Sequence, residues 1–255
     1  MKYLRSSRAT LFSSVVSILF ALVCILTFPG PLRAQDPDFS TPNTPTTLSG
    51  TFERIFRDQN TGVDSIRGSF YFTAPGDMFV QVTSPVNQYM IIREGSLTIF
   101  YPETKQAFRF NSANPILLPL ITGLMATVLP DFGMGEMGFS LKDQHLAGDT
   151  LVSVWAHPQM QERLGRYEVF EMDEKIMLLQ FFAPKGISWT RTRFDNYQPV
   201  ATWQFPLHIF TQIQTGNNIS TELVHLSDLK ANTSHPEAIR NFRLPPETIL
   251  VEKQW

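Results

Sequence analysis

Five histidines, His145, His157, His208, His225 and His235, are the residues best suited to acid–base or metal chemistry, and their spacing builds neither. No two stand at i, i+4, and the lone cysteine, Cys24, lies in an N-terminal apolar run, so no zinc-type ligand set forms. The chain has no G-x-S-x-G elbow, no P-loop and no dinucleotide fingerprint. Gly133-Met134-Gly135 is glycine-rich but follows Pro130 rather than a strand, which removes the context of a phosphate cradle. These residues predict no catalytic site, no metal and no cofactor. An esterase-like Ser–His pairing, assembled in space, leaves no local mark and stays open.

The concentrated basic feature is Trp189-Thr190-Arg191-Thr192-Arg193-Phe194. As a strand it places Trp189, Arg191 and Arg193 on one face, either to meet an anionic head group or as a solvated outer face with Arg stacked on Trp. Asn218-Ile219-Ser220 and Asn232-Thr233-Ser234 match glycosylation sequons and are read as turn residues.

The N-terminus sets the compartment. Lys2, Arg5 and Arg8 precede the apolar run Leu11 to Phe28, Pro29-Gly30-Pro31 breaks it, and Ala34 offers a small residue for cleavage. Residues 1–34 are therefore expected to be a signal peptide for export to the periplasm, the alternative being an uncleaved inner-membrane anchor. Cleavage would remove four basic and no acidic residues, taking the formal charge from −2 to −6 and leaving no cysteine. An acidic, thiol-free exported chain has no disulfides and no electrostatic basis for binding nucleic acid. Residues 35–47, rich in Pro, Thr and Asp, predict a disordered leader.

The elements that must position any site are strands. Ser65 to Phe110 is cut by Pro75-Gly76, Ser84-Pro85, Glu94-Gly95 and Pro102-Glu103 into short runs, the rhythm of an antiparallel meander. Its runs are apolar on both alternating faces, so both faces must be covered, in a sandwich or around an apolar ligand. Asn114 to Pro130 is apolar nearly all round and predicts one or two short helices, either a core helix or a movable lid. The glycines and methionines of Asp131 to Gly138 favour a lid that repacks around variable ligands. Hairpins follow around Gly148-Asp149 and Asp173-Glu174, with a turn at Asp195 to Pro199. Ala201 to Ile213 then alternates with Trp203, Phe205, Leu207 and Ile209 on one side. Trp255 is the aromatic ending of an outer-membrane barrel, but Leu244 to Thr248 is no alternating strand.

Pro75-Gly76, Met78 to Val82, Pro85, Gln88 to Ile92, Glu94-Gly95 and Phe100-Tyr101-Pro102, followed by Gln106, resemble in order the central pattern of LolA/LolB-type outer-membrane lipoprotein carriers. Asn241-Phe242-Arg243-Leu244-Pro245-Pro246 with Val251 is similar to that family's closing segment. The resemblance covers residues 48–255. Ala74 stands where the family has the arginine of its lid switch, and residues 35–47 lack the family's amphipathic first helix.

The resemblance implies a mainly β fold: a strongly curved antiparallel sheet, an unclosed half-barrel, covered by a lid of short helices over an acyl-chain cavity. It implies a non-enzymatic, monomeric periplasmic carrier of lipidated proteins or lipids, loaded by an inner-membrane release complex and unloaded at an outer-membrane acceptor. The apolar positions expected to line the cavity and lid are Phe70, Phe72, Met78, Val80, Ile92, Phe100, Leu117, Leu120, Leu124, Met125, Trp203, Phe205 and Leu207. The alternative is a structural or interaction module of the same fold with no transported ligand.

Overall fold

A computed structural model describes residues 45–93, 96–111, 119–129, 131–135, 137–184 and 188–254. Residues 1–44, on which the expected signal peptide and most of the expected leader fall, lie outside them. The first meander comprises β1 (Thr47–Asp58), β2 (Gly62–Thr73), β3 (Asp77–Ser84), β4 (Gln88–Arg93), β5 (Ser96–Tyr101) and β6 (Gln106–Asn111). After helix α1 (Pro119–Val128) a second meander runs through β7 (Ser140–Ala147), β8 (Thr150–Ala156), the single turn α2 (Gln161–Leu164), β9 (Arg166–Met172), β10 (Lys175–Phe182), β11 (Ser188–Val200), β12 (Trp203–Thr215) and β13 (Asn218–Ala231). The chain then makes α3 (Glu237–Arg240) and β14 (Ile249–Gln254).

All strands belong to one sheet in the order β14-β6-β5-β4-β3-β2-β1-β13-β12-β11-β10-β9-β8-β7. Tight turns drive this order, because neighbours in sequence pair when a short loop reverses the chain. Asp173 and Glu174, at φ 52° and 60°, form a two-residue turn whose twist suits the flanking strands, and Gly148 and Gly216 supply positive φ at two others. The meanders join where β1 pairs with β13, from Leu48↔Ala231 to Asp58↔Ser220. The outermost strands β7 and β14 do not pair with each other, so the sheet stays open.

Reach along the chain shows that the sheet bends. Met125 Cε lies 3.8 Å from where a Cβ on Gly76 would stand, at the β2–β3 turn. Seven residues later, Phe132 meets Trp155 of β8 edge-on, with ring centroids 6.5 Å apart. A flat sheet would separate β2 from β8 by seven strand spacings, roughly 34 Å. The chain from Met125 through the helix end and the following turn spans only about 12 Å. The sheet therefore wraps toward α1, and the face that α1 touches is concave.

Strand positions agree with the sequence reading, with two differences. β11 continues through Asp195–Pro199, where a turn was expected, because Asn196 takes its positive φ of 56° without shifting the register, Asp195↔His208 before it and Tyr197↔Pro206 after it. Pro206 is tolerated in β12 because the pairing with β13 begins only at His208↔His225. β14 was not anticipated and lies parallel to β6, Ile249↔Gln106 through Gln254↔Asn111. Of the short helices expected as a lid, α1 carries the buried Leu124, Ala126 and Val128, whereas α2 and α3 bury no residue. Among the described residues no helix is long and apolar enough to cross a membrane.

Candidate functional site

Alternation assigns the expected apolar positions to faces. Phe70 and Phe72 on β2 stand opposite Val80 and Met78 on β3, and Met78 opposite Ile92 on β4. These five are buried in one cluster with Leu124, Phe205 and Ile209, against which Met125, Trp203 and Leu207 pack half-buried. Leu120 lies in the first turn of α1, and Leu117 lies outside the described residues.

Phe100 departs from the expectation. On β5, Leu97 and Ile99 join the concave cluster, so Phe100 points to the other side. There it is 3% exposed and packs with Tyr89 (6.0 Å between centroids) and Phe242 (6.3 Å). Phe79 adds a further edge contact to Phe242, at 5.2 Å. The segment after β13 thus makes a second, convex-side aromatic core, which is why the meander is apolar on both faces.

Against the concave face pack α1 and the loop that follows it, through Leu124, Ala126, Val128 and Met134. Gly123 brings α1 so close to β12 that a Cβ there would stand 3.1 Å from Ile209 Cγ2. Beyond α1, the Asp131 carboxylate accepts hydrogen bonds from the backbone N–H of Gly133 (3.0 Å, Oδ1) and Gly135 (2.6 Å, Oδ2). The glycine-rich loop is thus folded around its own acid, and it carries Met134, which is fully buried. Phe139 packs edge-on against Tyr167 at 5.1 Å, fixing the far end of the insert on β9.

One band of the concave face is polar. Arg54 on β1 donates from Nε to Oε2 of Glu222 on β13, and its Nη1 lies 3.9 Å from Asp64. Glu222 pairs across the sheet with Thr211 on β12, and Thr211 with Thr192 on β11; the two threonine hydroxyls are 3.0 Å apart. All three are buried, and the Glu222 side chain is only 2% exposed. Oε1 of Glu222 has no hydrogen-bond partner. Burial pushes the Glu222 carboxyl above the usual range, against the opposing pull of the Arg54 guanidinium. Alternation along β1 puts Arg54 on the inward face of Phe52, two residues on. Its partner follows from the β1–β13 register.

The convex face carries the remaining polar chemistry. Arg191 lies 5.4 Å from the Trp189 ring centroid and Arg193 5.5 Å from that of Phe210. Arg193 also pairs with Asp195, so the basic strand face is an outer face of stacked arginines. His208 and His225 meet edge-on at 4.7 Å, with Asp195 Oδ1 3.1 Å from His208 Nδ1. Among the described residues no group of three or more His, Cys, Asp or Glu side chains comes together in a form able to hold a metal ion. A hollow of about 340 Å³ lies between β2–β4 and the α3 segment, bounded by Tyr71, Phe79, Ile91 and Ile239.

No protein-family model and no curated protein matches the sequence. Solved structures match the fold. A LolA superfamily protein from Nitrosomonas europaea superposes with a TM-score of 0.56 at 13% identity, over 79% of this chain and 92% of that one. A domain described as an outer membrane lipoprotein-sorting protein, from Vibrio parahaemolyticus, gives 0.56 at 13% over 76% and 89%. A DUF1329 family protein from Desulfovibrio piger gives 0.54 at 9% over 77% and 90%. The chain has the LolA-like fold.

Proposed function

We propose that this protein is a periplasmic carrier that takes acyl chains of lipoproteins or lipids between the concave sheet face and the α1 insert and escorts them toward the outer membrane. The observation that carries the reading is the pairing of a large apolar concave face with a short, separate cover. Phe70, Phe72, Met78 and Val80 are buried beneath side chains such as Leu124 and Met134, which belong to one insert in the chain. An acyl chain can replace those side chains without leaving apolar surface in water, and each buried methylene is worth about 0.8 kcal/mol. Methionines suit such exchange because they repack around irregular shapes.

In this reading residues 1–34 direct export, residues 35–47 are a leader, and the rest is the binding domain. Phe70, Phe72, Met78, Val80, Ile92, Phe205 and Leu207 would line the sheet side, with Leu117, Leu120, Leu124 and Met125 on the cover and Trp203 at its edge. Phe100 is left out because it faces the convex core. The chain works as a monomer between an inner-membrane donor and an outer-membrane acceptor, with no catalytic step. Its LolA-like neighbours support the lipoprotein or lipid class of ligand.

A second reading, a structural module without a transported ligand, is favoured by the completeness of the packing: Leu124 is 1% exposed and Met134 0%. Native mass spectrometry of protein purified from cells without detergent separates the two. The carrier reading predicts co-purifying acylated molecules released by organic solvent. A single ligand-free mass, unchanged after incubation with acylated peptides, supports the module.

A further inference from the structure

The polar band on the concave floor has no role in enclosing acyl chains, and it is costly where it stands. A buried ion pair is often no more stabilising than apolar residues of the same volume, and an unpartnered buried carboxylate oxygen adds a further desolvation cost. Glu222 carries both, with Oε2 held by Arg54 and Oε1 unpartnered. The band lies where a ligand would meet it. Arg54, Val224 and Ile209 are cross-strand neighbours in one row, and Ile209 is the residue on which Gly123 seats α1. Glu222 and Thr211 form the next row, toward the β1–β2 turn. Chains lying along Phe70, Phe72 and Phe205 would end at these rows once α1 lifts from Ile209.

Resting on the carrier reading above, we infer that Glu222, oriented by Arg54 and flanked by Thr211 and Thr192, is a head-group site selecting amphiphiles whose polar group donates a hydrogen bond next to the acyl chain. Monoacylglycerol-like hydroxyls are the class that fits. The chemistry follows from the atoms present. Oε1 is an acceptor without a donor, Arg54 holds the other oxygen, and the Thr192–Thr211 pair leaves one hydroxyl proton for a ligand oxygen. An ester lacking a free hydroxyl offers nothing to Oε1.

The test is displacement of a fluorescent fatty-acyl probe from the full-length protein by 1-lauroylglycerol and by methyl laurate, which share one chain and differ in the free hydroxyls. The expected result is about tenfold tighter binding of lauroylglycerol, the value of a hydrogen bond to a charged group. In the double variant Arg54→Met/Glu222→Met, which offers the ligand neither acceptor nor donor at that point, the preference falls to within about twofold. Equal binding of the two by the wild type overturns the head-group site, assigns Oε1 to ordered water and leaves the carrier reading standing. Failure of the probe and of both competitors to bind overturns the carrier reading itself. If the double variant fails to fold, the wild-type comparison still decides.

Discussion

Glu222 and Arg54, 168 residues apart in sequence, meet side by side on β13 and β1 within a sheet face that is mostly apolar. Removing one partner leaves the other buried without its countercharge. Arg54→Met is therefore expected to cost about 3 kcal/mol, and the double variant Arg54→Met/Glu222→Met to recover most of it. Urea denaturation of the single and double variants measures this. Equal loss in both would mean that the pair contributes through shape rather than charge.

The same carboxyl gives stability a pH dependence. Burial raises the titration of Glu222 and of Glu171 above the ordinary 4.5. A raised acid binds its proton more readily folded than unfolded, so its contribution is complete below 4.5 and is lost as pH rises through the folded value. His157, lowered by burial and by Lys142, works in the opposite direction below 6.5. The urea midpoint of Glu222→Gln should thus gain less than that of the wild type between pH 7 and pH 5. Parallel profiles would remove Glu222 from the account.

Gly123 sets how closely α1 sits on the sheet. A valine there must push against Ile209, whose Cγ2 would already lie 3.1 Å from the added Cβ. Gly123→Val is expected to destabilise by about 1–3 kcal/mol and to lift the insert. A rise in binding of an apolar dye, with the far-ultraviolet spectrum unchanged, reports the lifting. Wild-type dye binding together with wild-type stability would place the helix elsewhere.

Phe100 and Phe242 define the convex core. Their rings lie 6.3 Å apart, and Tyr89 meets Phe242 edge-on at 5.4 Å. A double-mutant cycle of Phe100→Ala and Phe242→Ala should give a coupling of about 0.5–1.5 kcal/mol. Acyl-probe affinity should be unchanged in any variant that remains folded. A loss of affinity in folded Phe100→Ala would return that residue to the cavity.

The meanders were legible because their turns are local chemistry: Gly148-Asp149 and Asp173-Glu174 announce hairpins whatever lies around them. Asp195 to Pro199 misled for the same reason, since the turn-forming residues there lie inside a long hairpin, where Asn196 takes a positive φ without shifting the register. β14 follows Pro245-Pro246, and its parallel place beside β6 depends on where α3 leaves the chain. Alternation separated the faces of each strand without saying which was concave, so Phe70 and Phe100 were equivalent in sequence and opposite in space. The Arg54–Glu222 pair was invisible because it exists only through the β1–β13 register.

Photo-crosslinking with a diazirine-bearing acyl chain tests the central claim most directly. Mass mapping of the labelled protein should place the adducts on β2–β3 peptides containing Phe70 to Val82 and on the insert peptide containing Leu124 to Met137. Excess unlabelled acyl ligand should compete with the labelling. Adducts confined to the convex segment around Phe100 and Phe242, or no competable adduct at all, would contradict an acyl site on the concave face.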